Sequence, residues 1–504
     1  MLNHPVKQPT EKPSLAEALR AARDTRWLEL GSGVLGRVPE VFRQQFGDKT
    51  ALLVADTNTF AAAGKAVLAV MRHAGIPCRE PFIFTDPKLY AEHSFVVALE
   101  EALKGHEAIP VAVGSGTIND LSKLAAHRAG RPYMSVATAA SMDGYTAFGA
   151  SITFEGSKQT FFCPAPVAVV ADIEIIRAAP EGMNASGYAD MLAKTTAGAD
   201  WIIANALGIE PMHPQAWRTA QGSLRDALAD PEGVRKRDLE AMRRLTEGLM
   251  LGGFAMQCAQ SSRPASGAEH QFSHLWDMSR HAAGEGAGTL KPGQRAPGNT
   301  LKRGQPASGF VVHALACPPA GMEERVSSHG FQVGIGTMAV AALYEYLLAQ
   351  KLEDVNIEKC CEQWPDEAGC DDRVREMFGE GRLREIALKE TRAKWVDAGG
   401  LRKQLEKLTG IWPELRILLR EQLIPFAELK RMLRTAGAPA EPEQIGISRE
   451  RLRESFRQAV FIRRRFTVLD VAVRCGVLEP ALDHLFGPAG PWPVTERDRR
   501  SNQS

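Results

Sequence analysis

The spacing of apolar positions changes near residue 180. Between Thr50 and Asp172, short apolar runs, ALLVAD (51–56), PFIF (81–84), IPVAV (109–113), YMSVA (133–137) and PVAVVAD (166–172), alternate with helical stretches such as AAAGKAVLAVMRHAG and residues 91–104. Strands separated by helices of this length predict a parallel sheet with crossover helices, an α/β nucleotide-binding type of domain. ASITF (150–154) and QTFFC (159–163) flank Glu155-Gly156-Ser157-Lys158 in the manner of a hairpin. From Gly187 the pattern becomes that of long helices: GYADMLAKTTAGADWIIANALG, about 233–260, and VGIGTMAVAALYEYLLAQ. Between 353 and about 480, apolar residues recur at three and four positions among many charges, which predicts amphipathic packing helices.

The expected organisation is a disordered lead-in over 1–13, an α/β domain over 14–180 and an all-α metal and substrate domain over 181–350. Additional helices over 351–486 and a disordered tail over 487–504 complete it. A Gly-, Pro- and Lys/Arg-rich stretch (282–309) marks a flexible insertion within 280–325.

Charge and cysteine content narrow the function classes. Lys+Arg 61 against Asp+Glu 60 leaves a net charge of +1, which gives no global field for nucleic acid or an anionic membrane. The run Arg463-Arg464-Arg465 is read as a charged helix face. The 8 cysteines form no CxxC pair and read as reduced thiols; a metal cluster of Cys360, Cys361 and Cys370 is the minor alternative. No signal peptide or uninterrupted membrane-spanning run is evident, so a cytoplasmic location is expected.

Candidate chemistry sits at the ends of elements. Val113-Gly114-Ser115-Gly116-Thr117-Ile118 joins a strand to a helix, where glycines admit a ligand and helix N–H groups face it. A plain turn explains the same letters equally well. Asp56 ends a strand, suited to a ribose or to a cap, and Thr138-Ala139-Ala140-Ser141-Met142-Asp143 follows the strand 133–137. Asp190 and Lys194 stand four apart among small and apolar neighbours, which points to a packed helix over a surface ion pair. His270 and His274 are also four apart, about one turn or roughly 6 Å on one helical face. His329 opens HGFQVGIGT, and His313 competes with it as a third imidazole. One carboxylate and two imidazoles suit a divalent Zn, Ni or Fe ion with positions left open for substrate.

The ordered motifs GSGTIND, TAASMDGY, GYADMLAK, SGAEHQFSH and SSHGFQVGIGT, over about residues 25–350, resemble the sn-glycerol-1-phosphate dehydrogenase family. That family lies within the iron-containing alcohol dehydrogenase, glycerol dehydrogenase and dehydroquinate synthase-like group. The resemblance implies a dehydroquinate synthase-like fold and interconversion of dihydroxyacetone phosphate and sn-glycerol 1-phosphate with NAD or NADP. It implies Asp190, His270 and His329 as ligands of one divalent metal, and Asp143 and His274 as substrate-side residues. Asp56, Gly114, Ser115, Gly116, Thr117, Ile118, Thr138 and Ser141 then face the nucleotide. A small phosphorylated polyol or ketone is the implied partner, with no nucleic acid, no membrane span and a homo-oligomeric assembly. Rival readings are a glycerol dehydrogenase-like or dehydroquinate synthase-like enzyme on the same scaffold, or a non-catalytic nucleotide-binding module. Two departures stand out. Ala147 replaces a serine that commonly touches the cofactor, and the interval from His274 to His329 is unusually long, its insertion offering either an inert loop or a lid with Lys291, Arg295, Lys302 or Arg303.

Overall fold

The computed structural model describes residues 13–284 and 328–494. Six strands, β1 (Trp27–Gly31), β2 (Ala51–Asp56), β3 (Phe82–Phe84), β4 (Ile109–Gly114), β5 (Met134–Ala137) and β8 (Ala168–Asp172), form one parallel sheet in the order β1-β8-β5-β4-β2-β3. β6 (Ala150–Phe154) and β7 (Ser157–Phe161) form the expected antiparallel hairpin. The inner strands are apolar on both faces because both are covered. Leu53, Ala55, Val111 and Val113 pack with helix residues Val41, Phe42 and Val67, while Leu52, Val54 and Ala112 pack with Val96, Leu99 and Leu121 on the other side. β1 was absent from the sequence reading. It is an edge strand, half-buried along its length, with Glu29 held by Arg37 at 2.7 Å, so it lacks the apolar run that marked its neighbours.

The order contains a switch point. After β2 the chain goes outward to β3, then returns to lay β4 on the other side of β2, so Asp56 and Gly114 end adjacent strands there. Ligands of open α/β sheets sit at such a crevice outside the carboxyl ends.

The helices that bear on the site are α1 (Leu15–Ala21), α2 (Gly116–Arg128), α3 (Glu181–Leu207), α4 (Leu239–Ala259), α5 (Ala268–Gly284), α6 (His329–Ala349), α7 (Ala398–Gln422), α8 (Arg449–Ala459) and α9 (Val468–Arg474). α1 packs through Ala18 on Leu251 and Phe254 of α4, so the N-terminal helix lies with the helical half. The single helix expected over 233–260 is broken by Arg237, whose φ of 59° ends one helix before α4 begins. α6 is long and apolar enough to cross a membrane, with mean hydropathy 1.3, but 83% of that window is buried within the protein, which makes it a core helix.

Two glycines let the site helices approach. A Cβ on Gly187 of α3 would stand 1.8 Å from the Ala140 carbonyl oxygen, and one on Gly336 of α6 would stand 2.5 Å from that of Glu269 on α5. Residues of α7, α8 and α9 share one apolar core with α3, α5 and α6. Gln422 of α7 donates to the Thr195 carbonyl at 3.1 Å.

Three expectations need correction. Arg463-Arg464-Arg465 does not lie on a helix but in the extended segment between α8 and α9, where two of the three are half-buried. The tail does not begin at Gly487: Trp492 is fully buried against Phe426 and Phe486, and the backbone hydrogen-bonds as far as Val494. α5 continues to Gly284, past the expected start of the insertion; residues 285–327, with His313, Lys291, Arg295, Lys302 and Arg303, lie outside the described residues.

Candidate active site

α2 starts directly after β4, and its N-cap Ser115 makes no side-chain capping bond, so the first-turn N–H groups of Gly116, Thr117 and Ile118 have no capping side chain. A Cβ on Gly114 would stand 2.5 Å from Cβ of Ile118, so this turn closes only around glycine. Asp56 at the end of β2 accepts the N–H groups of Asn58 and Thr59 on Oδ1, both at 2.8 Å. It is therefore a strand-end cap, with Oδ2 left for a further partner. Thr138 follows β5 and donates its N–H to the Gly114 carbonyl at 3.2 Å, while the Ser141 carbonyl accepts from Ser186 Oγ of α3 at 3.2 Å.

The segment 140–149 joins this edge to the helices. The Ala140 N–H donates to Asn184 Oδ1 at 3.2 Å, and that of Asp143 donates to Asp190 Oδ2 at 3.1 Å. Lys123 of α2, fully buried, donates to the carbonyls of Gly144, Ala147 and Gly149 at 3.1, 2.9 and 3.0 Å. Sequence reasoning passed over Lys123, since a lysine on a helix ordinarily signals a wet face. Ala147 offers its backbone to this clamp and no hydroxyl to a cofactor.

Asp190, His270 and His329 converge. Each presents one ligand atom, and these atoms lie within 4.8 Å of one another. His270 Nε2 stands 3.8 Å from Asp190 Oδ1, too far for a hydrogen bond. Ligand atoms around one first-row ion stand roughly 3–3.5 Å apart for bonds of about 2.0–2.1 Å, so a small contraction accommodates one. The remaining ring nitrogens fix the tautomers. Glu269 Oε1 stands 2.9 Å from His270 Nδ1, and Ser273 Oγ, which gives its proton to Gln332 Oε1 at 3.0 Å, stands 3.2 Å from His329 Nδ1 as an acceptor, so both Nε2 atoms are free. Glu269, fully buried, also accepts from Thr196 at 2.8 Å and from the Gly267 N–H. Burial works against its charge, yet these bonds and His270 hold its carboxyl below the usual range. The donor set of one carboxylate and two imidazoles fits a divalent Zn, Ni or Fe ion. The 7 cysteines among the described residues are free, and none belongs to a ligand group there.

Lys194 lies with Asp190 on a packed helix, as their small and apolar neighbours indicate, and the two also form an ion pair. Lys194 is fully buried, stands 3.3 Å from Asp190 and also meets Asp143 Oδ2 at 2.6 Å. Burial opposes its charge, but the two carboxylates hold it above the usual lysine value. Burial, followed by repulsion from Asp190, raises Asp143. His274 sits one turn after His270, ring centroids 6.4 Å apart and 6.3 Å from His329. It lies outside the ligand group; burial keeps it well below its usual pKa, and its Nδ1 is buried without a partner.

The residues expected to face the nucleotide thus gather at the carboxyl edge, and those expected to hold metal and substrate gather on α3, α5, α6 and the 140–149 segment. Glu269, Ser273 and Lys123 had no signal of their own in the sequence, because each acts through a contact that only packing creates.

Residues 29–180 match the iron-containing alcohol dehydrogenase family. The solved glycerol dehydrogenase of Schizosaccharomyces pombe superimposes with a TM-score of 0.52 at 14% identity, over 91% of this chain and 90% of that one, which speaks to the fold. Glycerol-1-phosphate dehydrogenase (NAD(P)+) of Pyrococcus furiosus is 41% identical over 36% of this chain and 54% of its own. That of Halalkalibacterium halodurans is 31% identical over 70% of this chain and 79% of its own, and with that coverage the chain belongs to the glycerol-1-phosphate dehydrogenase family.

Proposed function

We propose that the protein is a metal-dependent dehydrogenase interconverting dihydroxyacetone phosphate and sn-glycerol 1-phosphate with NAD or NADP. The observation that carries this reading is the convergence of Asp190, His270 and His329 from three helices, beside the carboxyl edge of the parallel sheet. A divalent Zn, Ni or Fe ion held by those residues would supply Lewis acidity to a carbonyl oxygen, and the nicotinamide would supply or take the hydride.

The chain's own residues do the rest. Glu269 and Ser273 hold the two imidazoles in the tautomers that leave Nε2 free. The uncapped start of α2 offers N–H groups and the positive end of its dipole to the pyrophosphate, with Thr138 and Ser141 beside it. Asp56 keeps Oδ2 for a ribose hydroxyl and disfavours a 2′-phosphate. Asp143, with its backbone tied to Asp190 and its carboxylate to Lys194, orients a substrate hydroxyl. His274, neutral through burial, has a ring nitrogen available to a substrate oxygen. Fixing these groups beforehand is what holds the reacting atoms at attack distance.

The test is NAD(P)H oxidation by purified protein, after metal analysis, with dihydroxyacetone phosphate and with free dihydroxyacetone. The expected result is metal-dependent turnover of the phosphorylated ketone, falling by at least ~10³-fold in His270→Ala as the ion's stabilisation of a developing oxyanion is lost. Equal turnover of both ketones would point to an unphosphorylated polyol instead, and nucleotide binding without turnover would overturn the enzyme reading.

A further inference from the structure

Arg463, Arg464 and Arg465 have three different fates. Arg464 is exposed and pairs with Glu390, its Nε at 3.0 Å and Nη2 at 2.8 Å. Arg465 turns onto the entry to α5, donating to the Ser266 carbonyl and to Ser262 Oγ at 2.8 Å. Arg463 is half-buried, and its guanidinium has neither a hydrogen bond nor an ion pair among the described residues. Its acidic neighbour among the described residues, Glu390, is already held by Arg464. A half-buried guanidinium without a partner keeps only part of its hydration, and a bound anion would replace what is missing.

The backbone shows where Arg463 lies. α8 and the segment after it run antiparallel along α5: Arg451 donates to Ser279 Oγ at 2.9 Å, Trp276 Nε1 to Ser455 Oγ at 2.8 Å, and Gln271 Nε2 to the Arg465 carbonyl at 3.4 Å. Arg463 falls between the second and third of these contacts, two residues before the third, and so runs along the stretch of α5 between Gln271 and Trp276 that contains His274. A second cation comes from the hairpin. Lys158 of β7 stands 3.4 Å from Asp277 Oδ2, three residues beyond His274 on α5. The charges of both cations are felt at His274, Arg463 first.

We propose that Arg463 and Lys158 form the phosphate-holding end of the substrate site, beside His274. This rests on the reading of the substrate as a phosphorylated ketone. A phosphate dianion needs a guanidinium fork for two of its oxygens and gains from a second cation nearby. Lys158 is partly neutralised by Asp277, itself held by Gln332 Nε2 at 2.9 Å, so Arg463 carries most of the discrimination. The residue that separates phosphorylated from free ketone then comes from the C-terminal helices, more than 100 positions beyond the last metal-ligand candidate, His329. Arg463 is a substrate-binding residue, not a metal ligand or a proton carrier.

The experiment compares wild type, Arg463→Gln and Arg463→Lys as full-length, metal-loaded enzyme. Steady-state kinetics are measured with dihydroxyacetone phosphate and with free dihydroxyacetone, and the shift of the thermal midpoint is measured with inorganic phosphate. In Arg463→Gln, KM for the phosphorylated ketone rises roughly 20- to 100-fold, the span expected for one charged hydrogen-bonding group, with kcat nearly unchanged. Turnover of free dihydroxyacetone stays at the wild-type level, the phosphate-induced shift disappears, and Arg463→Lys is intermediate. If wild type prefers the phosphorylated ketone and Arg463→Gln keeps that preference or the phosphate shift, this proposal is overturned and the substrate reading stands. If wild type shows no preference, both fall together. Should Arg463→Gln not fold, Arg463→Lys decides by the same two measurements, because a merely structural cation would leave the ratio of the two ketones unchanged.

Discussion

At the carboxyl edge of the sheet the nucleotide-facing groups are largely backbone: uncapped N–H groups at the start of α2, a glycine turn after β4, and Asp56, half-committed to capping its own chain. Around Asp190 the construction is the reverse. Asp190, Lys194 and Glu269 are all at most 1% exposed, and each is held by other side chains. A nucleotide is large and can be bound by many weak, generic contacts, so backbone suffices. A small ion and a small ketone offer few contacts, so each must be placed by a fixed side chain, and each of those needs its own partner in a dry interior. The metal half should therefore respond sharply to single substitutions and the nucleotide half softly.

Glu269→Gln tests the sharp side. It keeps shape and burial but weakens the hold on His270 Nδ1, and metal affinity is expected to fall about 10- to 100-fold with little loss of nucleotide binding. Competition with a chelator reads the first, and nucleotide fluorescence quenching the second; unchanged metal retention would remove Glu269 from the site's construction. Gly114→Ala tests the soft side. Its new Cβ meets Ile118, and the overpacking should cost about 1–3 kcal/mol, roughly 5- to 150-fold if all of it falls on the nucleotide KM, while metal content stays constant. Loss of metal in this variant would mean that the two halves are not separable.

The smallest effect is on pH dependence. Burial, followed by the charge of Glu269, raises Asp200 from 3.8 to about 7. Asp200 accepts from Tyr344, from the Ala268 N–H and from the Val468 N–H, so it ties α5 to α6 and α9. Because its folded value lies above the unfolded one, its contribution is full below about 3.8 and is lost progressively as pH rises through about 7. The buried, neutral His274 and His329 push the other way, losing stability as pH falls below 6.5. The difference in thermal midpoint between wild type and Asp200→Asn isolates the carboxyl. Wild type should lose roughly 2–3 degrees more than the variant between pH 5 and pH 8, about 2–3 kcal/mol by linkage in a chain of this size. Parallel curves would show that Asp200 is ionised in the fold throughout.

The difference between the halves also explains what could be read from the residues. The parallel strands announced themselves because a sheet covered on both faces needs unbroken apolar runs. β1 escaped because an edge strand does not, and Glu29 interrupts it. His270 and His274 showed their common face through spacing alone, and the rings stand 6.4 Å apart. Their division into a member of the ligand group and a neighbour outside it did not follow from that spacing. Charge misled where burial was involved: Arg463, Arg465 and Lys123 carry the letters of a solvated face, yet two are half-buried against the helical half and one clamps three carbonyls.

Sequence alone determined the period of the elements, the strand-to-helix turn at Gly114 and the helical pairing of His270 with His274, because each is a property of neighbours along the chain. Tertiary structure alone decided that Asp190 on α3, His270 on α5 and His329 on α6 share one point, and that residues near 463 reach the same helix. Those meetings depend on where helices with apolar surfaces all round come to rest, and on glycines such as Gly187 and Gly336 that let backbones close to distances no other residue permits. Such a constraint is written in contacts between distant segments, and no local window of residues carries it.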